Sequence, residues 1–150
     1  MCIRDSSNDY FGLSRDKDLI KAAFEISLLE GIGAGSSMFI TGSRPIHKLL
    51  EKELAEWLDQ QKVLLFPSGF QANIAAIQAL ANRNSIVIAD KLIHNSLLVG
   101  VKAAQEKLVR FSHNNLKDLE DKIIKSHHTE NSILVVVESL YSMEGSIAPL

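Results

Sequence analysis

From Val63 onward the sequence alternates short, unbroken apolar runs with stretches that repeat apolar residues every three to four positions, and that alternation leaves few folds open. Val63–Phe66, Ile86–Ala89, Leu108–Phe111 and Ile133–Val137 have the length and composition of strands. Between them, Ala72–Leu80, Ser96–Ala104 and Leu116–Ile124 carry helical spacing. A strand that is apolar at every position must be covered on both faces, and parallel neighbours need a crossover as long as a helix. The pattern predicts an α/β domain: a mostly parallel sheet with helices on both faces.

Two more helices are expected ahead of this region. Asp16–Glu30 places Leu19, Ile20, Phe24 and Leu28 at helical spacing and stops at Gly31. Ile46, Leu49, Leu50, Leu54, Trp57 and Leu58 line one face of a second helix, with Lys48, Glu51, Lys52 and Glu56 left for solvent. Between the two lies GIGAGSSMFITGSRP, Gly31–Pro45, which reads as a loop. The organisation is therefore a segment 1–45 of helix and glycine-rich loop, then a region 46–150 that begins a larger α/β domain. Residues 1–6, MCIRDS, read as foreign to the natural protein.

Charge narrows the partners. The formal net charge of -2 provides no basic field for nucleic acid or anionic lipid. No apolar run approaches bilayer length, and the polar opening MCIRDSSNDYFG lacks the apolar centre of a signal peptide. The lone Cys2 has no internal disulfide partner, and no Cys/His cluster has metal-ligand spacing. These features point to a cytoplasmic protein without a metal, nucleic-acid or membrane partner.

Open α/β sheets bind ligands beyond the carboxyl ends of their strands, so the residues that follow each apolar run are the candidates. After Phe66 comes PSGFQAN, where the amides of Gly69, Phe70 and Gln71 open a helix and form a ready anion site. A plain cap by Ser68 explains that turn equally well. After Ala89 comes DKLIHNS, which gathers Asp90, His94, Asn95 and Ser96; the imidazole of His94 can stack on a flat heterocycle or carry a proton. After Val137 comes ESLYSMEGS, with Glu138, Ser142 and Glu144. Three polar strand ends on one edge fit a single planar, anionic ligand. The glycine loop GIGAGS is no dinucleotide fingerprint, because no strand precedes it and no ribose-binding acid follows at the βαβ distance.

The motifs SNDYFGLS, GIGAGSSMFITGSRPIHKLLEKELAEWL, FPSGFQAN, IADKLIHNSLL, FSHNNLKDLE and VVVESLYSMEGSIAPL, in this order, resemble the α-oxoamine synthases, pyridoxal-phosphate enzymes of the fold-type-I aminotransferase superfamily. GIGAGSS, LEKELAEWL, LLFPSGFQAN and RFSHNN are most similar to the biotin-pathway branch. That resemblance implies pyridoxal 5'-phosphate as cofactor and the decarboxylative condensation of L-alanine with pimeloyl-CoA or a pimeloyl-carrier protein to 8-amino-7-oxononanoate. It also implies a homodimer at full length. Glycine C-acetyltransferase, 5-aminolevulinate synthase and serine palmitoyltransferase share the scaffold and remain alternatives. A non-catalytic module binding a small ligand or phosphate is the alternative of a different class.

Carried over motif by motif, the resemblance implies that the Gly69 and Phe70 amides meet the cofactor phosphate, and that His94 lies on the ring face and meets the substrate. Ser142 bonds the ring's edge with support from Glu138, and Asn8 faces the substrate. Arg44 and His47 are expected to brace the loop. The lysine that such enzymes bond to the cofactor, and an Asp-x-x-His segment that grips its ring, are expected beyond Leu150. Without that lysine the 150 residues should be catalytically inactive. Family members also carry a helical segment ahead of SNDY for which MCIRDS is no counterpart, so the chain reads as incomplete at both ends. Met38 stands where relatives often have arginine or a small residue, and Pro67 removes one amide from the turn.

Overall fold

In the computed structural model, residues 7–127 and 132–149 are described. The proposed foreign residues 1–6 lie outside them. The chain forms two compact units, Met1–Leu64 and Leu65–Leu150.

In the first unit, α1 spans Lys17–Glu30. Asp16 sets its start by accepting from the amides of Asp18 and Leu19, each at 2.9 Å, and Gly31 ends it at a φ of 79°. The second helix, α2, runs Pro45–Trp57 with proline at its first position, where the missing N–H costs nothing. His47 reaches back to cap it, its Nδ1 accepting from the Arg44 amide at 3.0 Å. The segment expected to be pure loop contains one tight π turn, Met38–Gly42, closed by the Gly42 amide on the Ser37 carbonyl at 2.8 Å. Gly42 is obligatory there, since a Cβ would lie 2.0 Å from the Ser36 carbonyl oxygen.

The second unit holds helices α3 (Gly69–Leu80), α4 (Asn95–Ala103) and α5 (Leu116–Ser126), and strands β1 (Ile86–Asp90), β2 (Lys107–Phe111) and β3 (Ile133–Val136). The sheet is parallel throughout, in the order β2-β1-β3, with Ile88 level with Val109 on one side and Val135 on the other. Central β1 is buried at every position. Its alternate side chains feed two cores. Val87 and Ala89 pack with Ile77 of α3 and Val101 of α4, while Ile86 and Ile88 pack with Phe111 and with Leu119 and Ile123 of α5. Helices therefore cover both faces, as the unbroken apolar runs require. The β1-to-β2 and β2-to-β3 connections move in opposite directions across the sheet, so connections of one hand must place α4 and α5 on opposite faces.

One expected strand is absent. Val63–Phe66 forms no ladder among the described residues, and the division between the two units falls within it. An apolar run becomes a strand only when a neighbour accepts its backbone bonds, and the ladders of the described residues join only β1, β2 and β3. The α3 and α4 axes pack closely because Gly100 has no side chain: a Cβ there would lie 3.0 Å from Ile77 Cβ and 3.2 Å from Ile74 Cα.

Candidate functional site at the carboxyl edge of the sheet

At the first turn of α3, Ser68 caps the helix, its Oγ accepting from the Gln71 amide at 3.3 Å. The cap reading of this turn is therefore correct as far as it goes. It leaves the amides of Gly69 and Phe70, which have no acceptor one turn back, pointing out of the positive end of the helix. A Cβ at Gly69 would meet nothing within 4 Å, so neither packing nor backbone conformation demands glycine there. What glycine provides is an unobstructed approach to the two amides.

His94 stands next to this terminus as the cap of α4. Its ring lies edge-on to Phe70, with centroids 6.3 Å apart and planes at 82°. Its Nδ1 accepts from the Ser96 amide at 3.2 Å and lies 2.6 Å from Ser96 Oγ, which in turn receives Asn73 Nδ2 at 2.9 Å. The directions along this chain are forced. Asn73 donates to Ser96, Ser96 donates to Nδ1, and the imidazole proton is left on the exposed Nε2 as an outward donor. Asn73 comes from α3 and the other two from α4, so the bonds also tie the two helix starts together. The backbone amide of His94 donates to the Glu138 carboxylate, which joins the end of β3 to the end of β1.

Past β3 the chain turns back on itself. Leu140 and Ile147 form an antiparallel bridge, the Tyr141 amide donates to the Ser146 carbonyl at 2.9 Å, and Gly145 takes a φ of 66°. Ser142 lies exposed in the turn of this loop. Beneath it, Asp90 at the end of β1 is fully buried and accepts from the amides of Leu92 at 2.8 Å and Asn114 at 2.9 Å and from His113 at 3.0 Å. Burial pushes its carboxyl up, but those donors outweigh it and hold the group below its ordinary value. Burial, followed by the Asp90 and Glu138 charges, raises the Tyr141 phenol.

The structure thus gathers Gly69, Phe70, His94 and Glu138 into one connected edge, with Ser142 on the adjoining loop. Asn8 belongs to the first unit, where it is exposed and accepts from the Tyr10 hydroxyl at 3.4 Å. Arg44 braces the glycine loop by donating to the Gly33 carbonyl at 2.7 Å. Asn73 was not legible as a site residue. The signal was there, in a polar side chain opening the alanine-rich NIAAIQAL stretch of a helix that packs on the sheet. Among the described residues no helix is long and apolar enough to cross a membrane, and no group of acidic, His or Cys side chains could hold a metal ion.

Fold and edge together define a parallel α/β domain whose polar groups collect where its strands end. The chain belongs to the aminotransferase class I and II family, whose model matches residues 2–150. It is similar to 8-amino-7-oxononanoate synthase from Salmonella schwarzengrund, 43% identical over 97% of this chain and 37% of that one. Among solved structures it resembles serine palmitoyltransferase from S. paucimobilis with a bound PLP–myriocin aldimine, at 33% identity and a TM-score of 0.88 over 95% of this chain and 35% of that one. It also resembles 8-amino-7-oxononanoate synthase from Francisella tularensis, at 29% identity and a TM-score of 0.76 over 95% of this chain and 38% of that one. The chain spans little more than a third of the length of these relatives.

Proposed function

We propose that residues 65–149 supply the phosphate and ring side of a pyridoxal 5'-phosphate site in an α-oxoamine synthase that condenses L-alanine with a pimeloyl thioester, CoA or carrier-protein bound, to 8-amino-7-oxononanoate. The observation that carries this reading is the pairing of two free amides at the start of α3 with the outward Nε2–H of His94, both on the carboxyl edge. The groups present fit the cofactor: two amides at the positive end of α3 with open space beside Gly69, and an imidazole one ring away from them.

When bound, the cofactor supplies an electron sink for the bond broken at the amino acid's α-carbon. Gly69 and Phe70 then anchor the phosphate through their amides. His94, its ring fixed by Ser96, presents Nε2–H to the substrate carboxylate or to developing negative charge. Glu138 keeps that cap in place through the His94 amide, Ser142 approaches the ring's edge, and Asn8 faces the substrate. In this reading the lysine that bonds the cofactor comes from outside these 150 residues, the working form is a homodimer, and the setting is cytoplasmic.

The test is twofold. Titration of the chain with pyridoxal 5'-phosphate, followed by calorimetry, should show binding that weakens about tenfold in His94→Ala, the loss of one charge-assisted contact. Assay of the protein extended to its relatives' length should release free thiol from pimeloyl-CoA with L-alanine and much less with glycine or L-serine. A preference for serine would favour the serine palmitoyltransferase reading that the 0.88 TM-score supports. Absence of cofactor binding in both forms would leave only the non-catalytic binding module.

A further inference from the structure

Asp90, His113, Tyr141 and Ser146 form a second polar cluster, which the proposed chemistry does not use. His113 Nδ1 lies 3.0 and 3.1 Å from the two Asp90 carboxylate oxygens, and its Nε2 lies 2.8 Å from Ser146 Oγ. Its ring meets Tyr141 edge to face, with centroids 4.5 Å apart. The adjacent Asn114 gives its amide to Asp90 and its side-chain Nδ2 to the Ile147 carbonyl at 3.0 Å. Asp90 is an acceptor, so Nδ1 carries the proton and Nε2 receives the Ser146 hydroxyl. The bonds run one way, from the loop after β3, through the turn after β2, to the end of β1.

We propose that His113 is a positioning residue: it clamps the loop bearing Glu138 and Ser142 onto the ends of β1 and β2 and so fixes where those two side chains stand at the site. A buried carboxylate is an expensive way to fill space, and packed apolar residues would do that as well or better. What Asp90 offers instead is direction, because its acceptor sites are taken by donors from β1's own turn and from the turn after β2. The clamp also reaches the site itself. The Tyr141 hydroxyl accepts from the Glu138 amide at 3.4 Å, and the Glu138 carboxylate accepts from the His94 amide, so a displacement at Ser146 or His113 is passed to the cap of α4. Asp90 from β1 and Glu138 after β3 are charges that act on Tyr141 in the clamp, and Asp118 of α5, held by the Ser112 amide at 2.8 Å, faces Lys91 and Lys122.

The positional half of this inference stands without a cofactor; its consequence for binding rests on the proposed function. The experiment is amide hydrogen exchange and ring-nitrogen NMR on the isotopically labelled 150-residue chain, in wild type, His113→Phe, Ser146→Ala and Ser146→Thr. We expect His113 to show a protonated Nδ1 and an accepting Nε2. His113→Phe and Ser146→Ala should speed exchange at Tyr141 and Gly145 about tenfold without change at Ile88, and Ser146→Thr, which keeps the hydroxyl, should restore it. If His113→Phe fails to fold, the Ala and Thr variants at Ser146 decide alone. Equal exchange in those two, or a protonated Nε2 in wild type, overturns the inference. Pyridoxal 5'-phosphate is then added to each. Weaker binding in Ser146→Ala than in Ser146→Thr supports the clamp's role at the site. Failure of both wild type and the extended protein to bind overturns the cofactor reading instead, while the exchange result still judges the clamp.

Discussion

Gly100→Ala offers a test of the packing that holds the two helix starts of the site in register. The added Cβ would sit 3.0 Å from Ile77 Cβ, 3.2 Å from Ile77 Cγ1 and 3.2 Å from Ile74 Cα. Carbon pairs prefer about 3.5–4.0 Å, so α3 and α4 must part by roughly half an ångström or more. Ile77 cannot rotate its own Cβ away, and Ile74 Cα is backbone. Overpacking of this kind costs about 1–3 kcal/mol, against which alanine's better helix propensity returns about 1 kcal/mol. Taken at mid-range, the net expectation is a loss of about 1 kcal/mol, or a Tm about 4–8 °C lower for a unit of this size. Differential scanning calorimetry measures it directly. Parting the helices also stretches the Asn73–Ser96 bond at 2.9 Å, so affinity for pyridoxal 5'-phosphate should fall with stability. A Tm equal to or above wild type would refute the reasoning, because it would show that propensity outweighs the contact and that the helices do not need glycine to meet.

Three further perturbations have defined outcomes. Ser68→Ala removes the α3 cap and should cost about 1 kcal/mol in urea denaturation, and an unchanged midpoint would mean that the 3.3 Å bond contributes nothing. Asp90 is held below its ordinary carboxyl value, so its stabilising contribution is present above the unfolded value and is lost as pH falls through the folded one. Asp90→Asn should therefore be less stable than wild type at neutral pH and lose less stability on acidification, and parallel stability–pH curves would contradict this. Burial raises the Glu106 carboxyl, and neither of its buried oxygens has a hydrogen-bond partner among the described residues, so its penalty grows as pH rises from the unfolded value through the folded one. Glu106→Gln should raise Tm at neutral pH and leave it unchanged where the acid is protonated; a lower neutral Tm would show that the ionised group is bonded.

The strands that the sequence revealed are those whose partners lie within the chain. Ile86–Asp90 and Ile133–Val136 emerged where their apolar runs predicted because each pairs along its length with another such run. Val63–Phe66 has the same composition and joins no ladder among the described residues, so composition alone could not distinguish it. The candidate site was legible in its edge residues, since His94 and Glu138 follow β1 and β3 and Gly69 follows an apolar run that reads as a strand. Their supports were harder to see. Asn73 sits mid-helix, and Ser146 lies 33 positions from the histidine it binds. Side chains that act on another side chain leave no local period, and only the folded register shows which loops meet.

The double duty of His94 limits what can be engineered at that position. One nitrogen serves the backbone of α4 and, in the proposed site, the other serves the ligand, so a better stacking ring is not a better residue. Phenylalanine would keep an aromatic face but leave the Ser96 amide without an acceptor. Asparagine would place an oxygen near the present Nδ1, holding the cap and giving up the ring. On the proposed function, recognition and folding are carried on separate atoms of one imidazole, and the two substitutions would allow each to be varied while the other is held.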